Sequence, residues 1–197
     1  MNWIIFFTKN QISYHVYKLN EGDSIILNRR KNTNTIIILT GIISLAKIFC
    51  NQEILPIAIL SNNDVITNHE NGNTQYCIIA LKTTYIITVI NQENTKNCYP
   101  IKIIKYYENT INRYEEIINL MNQQNKKHRV LIFILLIFLR FGRIKKYNIF
   151  IPFKLTKNCI ANMTATSIDT VSKVVKKKYI HEKGKVHSIS IKNLKLI

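Results

Sequence analysis

The sequence predicts an α+β chain, rich in strands over its first hundred residues and helical with a short β-hairpin after them. Three observations predict this class. Before Pro100, short β-branched and apolar runs alternate with turn chemistry at roughly ten-residue spacing. After it, apolar residues recur at three- and four-residue steps. The charge is segregated as well: from Gln123 to Ile197 there are 17 Lys and Arg against only Asp169 and Glu182, which is +15 of a formal net +17. At 197 residues and 47% apolar content, the chain has room for one or two cores and is not disordered at large.

Residues 24–27, 35–39, 42–48, 54–60, 76–81 and 84–90 read as strands. Between them lie Glu21-Gly22-Asp23, residues 32–34, Gly41, residues 61–64 and Asn71-Gly72-Asn73, all turn formers. Short antiparallel strands of this kind close into a sandwich or barrel. Two apolar runs are too short to be membrane or export segments. Residues 3–7 lack an h-region and a small-residue cleavage site. Residues 130–139, as a helix, would cover only about 15 Å, half a bilayer core, and read as a buried helix. No membrane partner is expected.

Past Pro100, Ile103, Ile104, Tyr107, Ile111, Tyr114, Ile118 and Met121 form one stripe of a long helix. The stripe has two possible coverings, the chain's own sheet or the same helix of a second copy. A second helix, residues 127–141, ends at Gly142 as its C′ residue. Residues 148–154 read as a strand whose Pro152 calls for an edge position.

The stretch KNCIANMTATSIDTVSKVVK, residues 157–176, reads as a helix-turn-helix. Thr156 supplies an N-cap oxygen for a first helix, and Thr166 or Ser167 caps a second. Small Ala161 sits where the helices approach, while Ile160, Val171 and Val174 form the motif's own core. The turn position that favours glycine is Ala165, which costs about 1–2 kcal/mol if the backbone there is left-handed. In such a motif the second helix presents its N-terminal residues to base edges. The duplex-contacting set is therefore Thr156, Lys157, Thr166, Ser167, Ile168, Asp169, Thr170, Ser172 and Lys173, with Lys176, Lys177, Lys183 and Lys185 on phosphates. Residues 179–181 and 186–191 flank Glu182-Lys183-Gly184-Lys185 and read as a hairpin, the wing of a winged helix. So basic a segment is the footprint of a polyanion binder, and double-stranded DNA is the partner it fits.

The other function classes find less support. Cys50, Cys77, Cys98 and Cys159 lie far apart without a C-x-x-C, which reads as free thiols in a reducing compartment with no metal or iron–sulfur cluster. His15, His69, His128, His181 and His187 are scattered, and no phosphate-binding or nucleophile motif accompanies them, so no enzyme and no cofactor are expected. The alternative is a basic RNA-binding or structural accessory protein, which would want exposed aromatics. Tyr147, Phe150, Phe153 and Tyr179 read instead as core. The excess of Ile, Asn and Lys, whose codons are A/T-rich, points to an AT-rich genome. That implies the plastid stroma if the chain is organelle-encoded and the cytoplasm otherwise.

The run RVLIFILLIFLRFGR at residues 129–143, the strand before Leu155-Thr156, IA....S.DTVSK and KKKYI resemble the DNA-binding domain of the Crp/Fnr regulators. The likeness is greatest to the cyanobacterial and plastid-encoded global nitrogen regulators. YKLNEGDSII and IIILTGIISLAKI resemble the glycine-marked strands of that family's cyclic-nucleotide-binding-like jelly roll. The resemblance implies a jelly roll over residues 1–100, a long dimerisation helix over 101–126 and a winged helix-turn-helix over 127–197. It further implies a homodimer on palindromic promoter sites, RNA polymerase as a partner, and a link to nitrogen status.

The resemblance also fails at named positions. The Arg with which the family reads guanine is replaced by Ile168, a loss of about 1–3 kcal/mol of discrimination. Asp169, Thr170-Val171 and Lys173 fall on the family's neighbouring positions, and the helix is shorter than the family's before KKKYI. Between Lys47 and Lys82 there is no Lys or Arg, and the sheet-borne Arg of the nitrogen regulators falls near Thr74. A buried anion without a cation is strongly disfavoured. Cyclic nucleotide is therefore not expected. The second candidate effector, 2-oxoglutarate, would fall to Arg113 and Glu115, and loss of the effector or a different ligand is favoured over it.

Overall fold

The computed structural model describes residues 2–27, 34–67, 75–90, 101–175, 179–182 and 185–190. The chain forms two compact units, Met1–Glu115 and Glu116–Ile197.

The first unit is built on one antiparallel sheet whose two long strands run side by side. They are β3 (Asn34–Ile48) and β6 (Gln75–Ile90), each read from the sequence as two strands, with Gly41 as the turn in the first. The breaks are bulges. The β3–β6 register shifts at Ile38/Thr40, Thr40/Ile42 and Ile42/Ile43, around Gly41 at φ +110°. A Cβ at Gly41 would collide with the Thr84 side chain and Cα, so only glycine fits the crossing. Thr84 is fully buried and accepts from the Ile42 amide at 3.1 Å, which holds the bulge.

Each half of the long strands takes its own neighbours. β1 (Tyr14–Leu19) pairs with the second half of β6, and β2 (Ser24–Leu27) with the first. β5 (Val65–Thr67) pairs with the first half of β3, and β4 (Ile54–Ser61) with the second. β1 and β5 were not read from the sequence. β1 alternates polar and apolar residues with little burial, and β5 is only three residues long. The turn-forming residues 71–73, 32 and 33 lie outside the described residues.

The curled sheet has two apolar faces. One buries Leu19, Ile36, Ile38, Ile43, Leu45, Leu60, Ile66, Ile78 and Ile86, with Tyr76 and Tyr114 packed against them. The other buries Ile37, Val65, Ile87 and Val89 beneath Trp3 and Phe7. The run at residues 3–7 is thus part of a short helix, α1 (Trp3–Lys9). Its N-cap Asn2 accepts from Ile5, and the Trp3 indole donates to Asn63 Oδ1 at 3.0 Å.

The long helix, α2 (Ile101–Met121), divides the predicted stripe. Tyr106 packs against Trp3 at 5.0 Å between ring centroids, and Thr110 Oγ1 accepts from the Val65 amide at 2.8 Å. Those residues and Tyr114 cover the chain's own sheet, while Ile111 and Ile118 stand 52% and 58% exposed. From Glu116 the helix belongs to the second unit.

In the second unit α3 (Lys126–Phe141) starts at N-cap Asn125, whose side chain accepts from Lys127 and His128. Val130, Phe133, Ile134, Ile137 and Phe138 are buried at helical spacing, so the apolar run is a core helix as expected. Gly142 ends it, but not as a left-handed C′ residue, since its φ is −68°. Glycine is needed there because a Cβ would meet the Phe138 carbonyl and Ile149 Cγ2.

β7 (Arg143–Lys145), β8 (Asn148–Thr156), β9 (Tyr179–Glu182) and β10 (Lys185–Ser190) form a sheet in the order β7-β8-β10-β9. The edge position expected of Pro152 is therefore wrong, because β8 is an inner strand. β7 pairs only as far as Phe150, and the β8–β10 register slips between Val186 and Ser188. Pro152 sits where the ladder demands no amide from it.

Candidate nucleic-acid interface

Two short helices, α4 (Lys157–Met163) and α5 (Ile168–Val175), stand where the sequence places the helix-turn-helix. Thr156 caps α4 by accepting from the Cys159 amide at 3.1 Å. Of the two candidates for the second cap, Ser167 is the one used: its Oγ accepts from the Thr170 amide at 3.2 Å.

The turn between them is a Schellman cap. The Thr166 amide donates to Ala161 O at 2.9 Å and the Ala165 amide to Asn162 O at 3.3 Å. This closes the helix through Ala165, left-handed at φ 45°, in the place a glycine usually takes. Thr164 is fully buried, and its hydroxyl donates to Ile160 O at 2.7 Å, so a polar side chain at an apolar-looking position is satisfied within the motif. Ile160, Ala161 and Val171 are buried as expected. Val174 is only half-buried, and the last core position belongs to Val175, four residues after Val171 on the same helix face.

The residues predicted to meet a duplex fall into three groups. Ser167, Ile168, Asp169 and Lys173 are exposed, with Thr170 and Ser172 half-buried beside them, on the cap and helix of α5. Thr156 is exposed at the start of α4, Lys157 half-buried and Thr166 half-buried in the turn. The wing hairpin is present, with Lys185 opposite Glu182 in the β9–β10 ladder. Lys176, Lys177 and Lys183 lie outside the described residues, as does the side chain of Lys185.

Tyr147, expected in the core, is 77% exposed at the β7–β8 turn, where Lys146 takes φ 56°. Phe150 is half-buried and Phe153 buried, its ring edge-on to Phe141 at 5.5 Å, while the Tyr179 side chain lies outside the described residues. Three unread features surround the motif. Arg140 pairs with Glu116 at 3.3 Å, Leu139 is 82% exposed, and Arg129 donates hydrogen bonds to the carbonyls of Gln123 and Thr164. The last of these spans 35 positions of sequence, and no local pattern announces it.

In the first unit, Arg113 is half-buried and Glu115 exposed. It is Tyr114, between them, that packs against the apolar interior. Burial, together with the neighbouring Tyr76 and Asp64, pushes its phenol up to about 12. No Lys or Arg lies between Lys47 and Lys82, yet Lys47 itself, on the strand read at residues 42–48, has its Nζ 5.5 Å from the ring centroid of Tyr76, which packs on the same interior. Lys47 and Tyr76 are direct partners across β3 and β6, and that pairing is what the sequence alone does not reveal. Among the described residues, no group of three or more His, Cys, Asp or Glu is placed to hold a metal, and no helix is long and apolar enough to cross a membrane.

No protein-family model and no curated protein sequence matches the chain. Solved structures do. A complex of CprK with OCPA is similar with a TM-score of 0.67 at 19% identity, covering 99% of this chain and 94% of its own. A transcriptional regulator of the CRP/FNR family from Thermus thermophilus gives 0.68 at 15% identity, covering 92% and 97%. A cyclic nucleotide-binding domain containing protein from Listeria monocytogenes gives 0.72 at 11% identity, covering 96% and 97%. The fold class is the one the sequence predicted: α+β, a β jelly roll followed by a long helix and a winged helix-turn-helix.

Proposed function

We propose that the chain is a Crp/Fnr-type transcription regulator that binds double-stranded DNA through α5 and its wing. The observation that carries this reading is the capped N-terminal end of α5. Ser167, Ile168, Asp169 and Lys173 face solvent there, in a unit holding 17 Lys and Arg against Glu116, Asp169 and Glu182. Side chains at the start of a helix of this width reach base edges in a major groove, while Lys and capped amides take phosphates. The bare α2 residues Ile111 and Ile118 support a homodimer, which would set two such helices on a palindrome. RNA polymerase is the partner such a regulator would address. The compartment is the one that holds the DNA, the plastid stroma for an organelle-encoded chain and the cytoplasm otherwise.

The effector reading is narrower. The interior against which Tyr76 and Tyr114 pack is made of Ile, Leu and Ala side chains, and the nearby Lys47 already lies over the Tyr76 ring. An anion placed there would lose its hydration for little return. Calorimetry should therefore show no cyclic AMP binding, and 2-oxoglutarate binding that is weak or absent. Saturable 2-oxoglutarate binding abolished by changing Arg113 or Glu115 would instead support the link to nitrogen status.

The test of DNA reading is selection from random duplexes with the full chain, followed by salt-titrated competition between the selected duplex, a scrambled duplex and RNA. Changing Asp169 or Lys173 should alter the preferred sequence by about 1–3 kcal/mol at one step of each half-site. Neutralising Lys176, Lys177, Lys183 or Lys185 should weaken all duplexes alike and lower the salt slope by about one counterion. Identical behaviour of both groups would refute base reading. A preference for RNA would favour the basic accessory-protein alternative, for which exposed Tyr147 beside Lys145 and Lys146 offers a stacking surface.

A further inference from the structure

Arg129 lies in the first turns of α3, on no surface assigned to DNA, yet all three nitrogens of its guanidinium are engaged within the unit. Nε and Nη2 donate to the carbonyl of Gln123 at 3.0 and 2.7 Å, and Nη1 donates to the carbonyl of Thr164 at 3.1 Å. Both acceptors stand just past a helix: Gln123 follows α2, and Thr164 is the C-cap of α4. Carbonyls at helix C-termini have no intrahelical donor and carry the negative end of the helix dipole, so a cation there satisfies both needs.

The Thr164 carbonyl is also one peptide away from the strained residue. The Schellman cap passes through Ala165 at φ 45°, where an L side chain is disfavoured, and α5 begins three residues later. The Schellman hydrogen bonds that close this turn, from the Thr166 and Ala165 amides to Ala161 O and Asn162 O, are local to it. The Thr164 hydroxyl reaches back to Ile160 O and across to Thr166 Oγ1 at 2.9 Å, but both lie within the α4 end and the turn itself. Of the hydrogen bonds at Thr164, the one from Arg129 comes from a separate element.

We propose that Arg129 is a positioning residue for duplex reading: by holding the Thr164 carbonyl it fixes the left-handed Ala165 turn and with it the direction in which α5 leaves. The role rests on the reading of α5 as the duplex-reading helix. Lysine cannot replace it, because one ammonium on a flexible stem does not reproduce a planar fork that spans two carbonyls. Glycine at position 165 can, because it takes the left-handed conformation without strain and keeps the turn unaided.

The test uses the full chain and a duplex recovered by random selection with the wild type. Affinities for that duplex and for a scrambled one are measured for wild type, R129Q, R129K, A165G and R129Q/A165G, well below the melting temperature. R129Q and R129K should lower the selected-to-scrambled ratio about tenfold with scrambled-duplex affinity in R129K unchanged. The salt slope of R129Q should stay the same although a charge is removed, since Arg129 meets no phosphate. R129Q/A165G should recover most of the ratio, and because affinities are compared only among variants folded at the assay temperature, that recovery reports the turn and not the stability that glycine adds. In R129K, amide exchange at Thr166 and Thr170 should quicken at least about tenfold if the turn loosens locally. That measurement stands even if R129Q fails to fold. An unchanged ratio and unchanged exchange in R129K would overturn the role while leaving the proposed function intact. So would a drop in the R129Q salt slope of about one counterion per subunit, matched by equal loss on both duplexes, because Arg129 would then be a phosphate contact. A wild-type chain that prefers no duplex overturns the proposed function and this role with it.

Discussion

Replacing Ala165 with glycine should stabilise the second unit. Ala165 holds φ 45° in the Schellman cap of α4, and its side chain is exposed. Relief of left-handed strain should return about 1–2 kcal/mol. The greater freedom of glycine in the unfolded chain takes back about 0.4–1 kcal/mol. Because the Cβ is exposed, little packing is lost, and the net gain is about 0.5–1 kcal/mol. For a unit of this size that raises the melting temperature by about 2–8 °C. Ala165→Val is the control with the opposite sign, since a β-branched side chain is worse than alanine at positive φ. Calorimetry of the full chain, with amide exchange across α4 and α5 to assign the transition, reads both variants. A glycine variant no more stable than wild type, or a valine variant no less stable, would show that residue 165 is not left-handed in solution.

Four further outcomes follow from the same geometry. Gly41→Ala should destabilise the first unit by about 2 kcal/mol or more in urea titration, because the new Cβ is strained at φ +110° and collides with Thr84; a neutral effect would place the β3–β6 crossing elsewhere. Burial pushes the Cys159 thiol from its ordinary 9.0 up to about 11, so the fold favours the protonated thiol. That stabilisation is present below pH 9.0 and drains as pH rises toward about 11. Alkylation at neutral pH should accordingly label exposed Cys50 well before Cys159, and equal rates would contradict the burial. Ile111→Asp with Ile118→Asp should convert a two-chain particle to monomers in sedimentation and sharply weaken operator binding, and a wild-type monomer at micromolar concentration would remove the dimer from the proposal. Ile168 is 49% exposed on α5, the proposed reading helix, so selected sites should carry thymine, whose methyl suits an apolar side chain, where Arg would read guanine. Ile168→Arg should move that preference to guanine by about 1–3 kcal/mol, and selection from random duplexes before and after the change decides it.

Periodicity and caps were legible because they are local. The stripe of α3, the N-caps Thr156 and Ser167, the wing ladder and the segregation of charge all follow from residues within a turn or a strand of one another. What was misread depended on pairing. Gly41 reads as a turn because glycine usually ends a strand, and only the shifted register against β6 makes it a bulge within one. Pro152 reads as an edge residue because an inner strand normally needs every amide, and only the end of β7 and the slip of β10 release it. Tyr147 reads as core because aromatics are costly to expose, whereas the tight turn at Lys146 turns it outward.

The same distinction separates the two halves of the candidate site. Apart from Lys176, Lys177, Lys183 and Lys185, proposed for phosphates, the side chains proposed to touch DNA lie within 18 residues of one another, from Thr156 to Lys173, and the sequence names them. What sets the angle at which they are presented does not lie there. The Ala165 turn lacks the glycine that would relieve its left-handed strain, and its Thr164 carbonyl accepts from a donor 35 positions upstream in α3. A duplex-reading helix must be held to within a fraction of an ångström to distinguish bases, so support of this kind matters as much as the side chains presented. On the proposed function, Ile168 and Ala165 are then linked departures from the pattern of the Crp/Fnr regulators. One removes a long side chain that could reach a base by flexing, and the other removes the residue that lets the turn hold itself. A duplex-reading surface as short as the one proposed here depends for its selectivity on how firmly its base is anchored, and the hydrogen bond from Arg129 to the Thr164 carbonyl reaches that base from outside the motif.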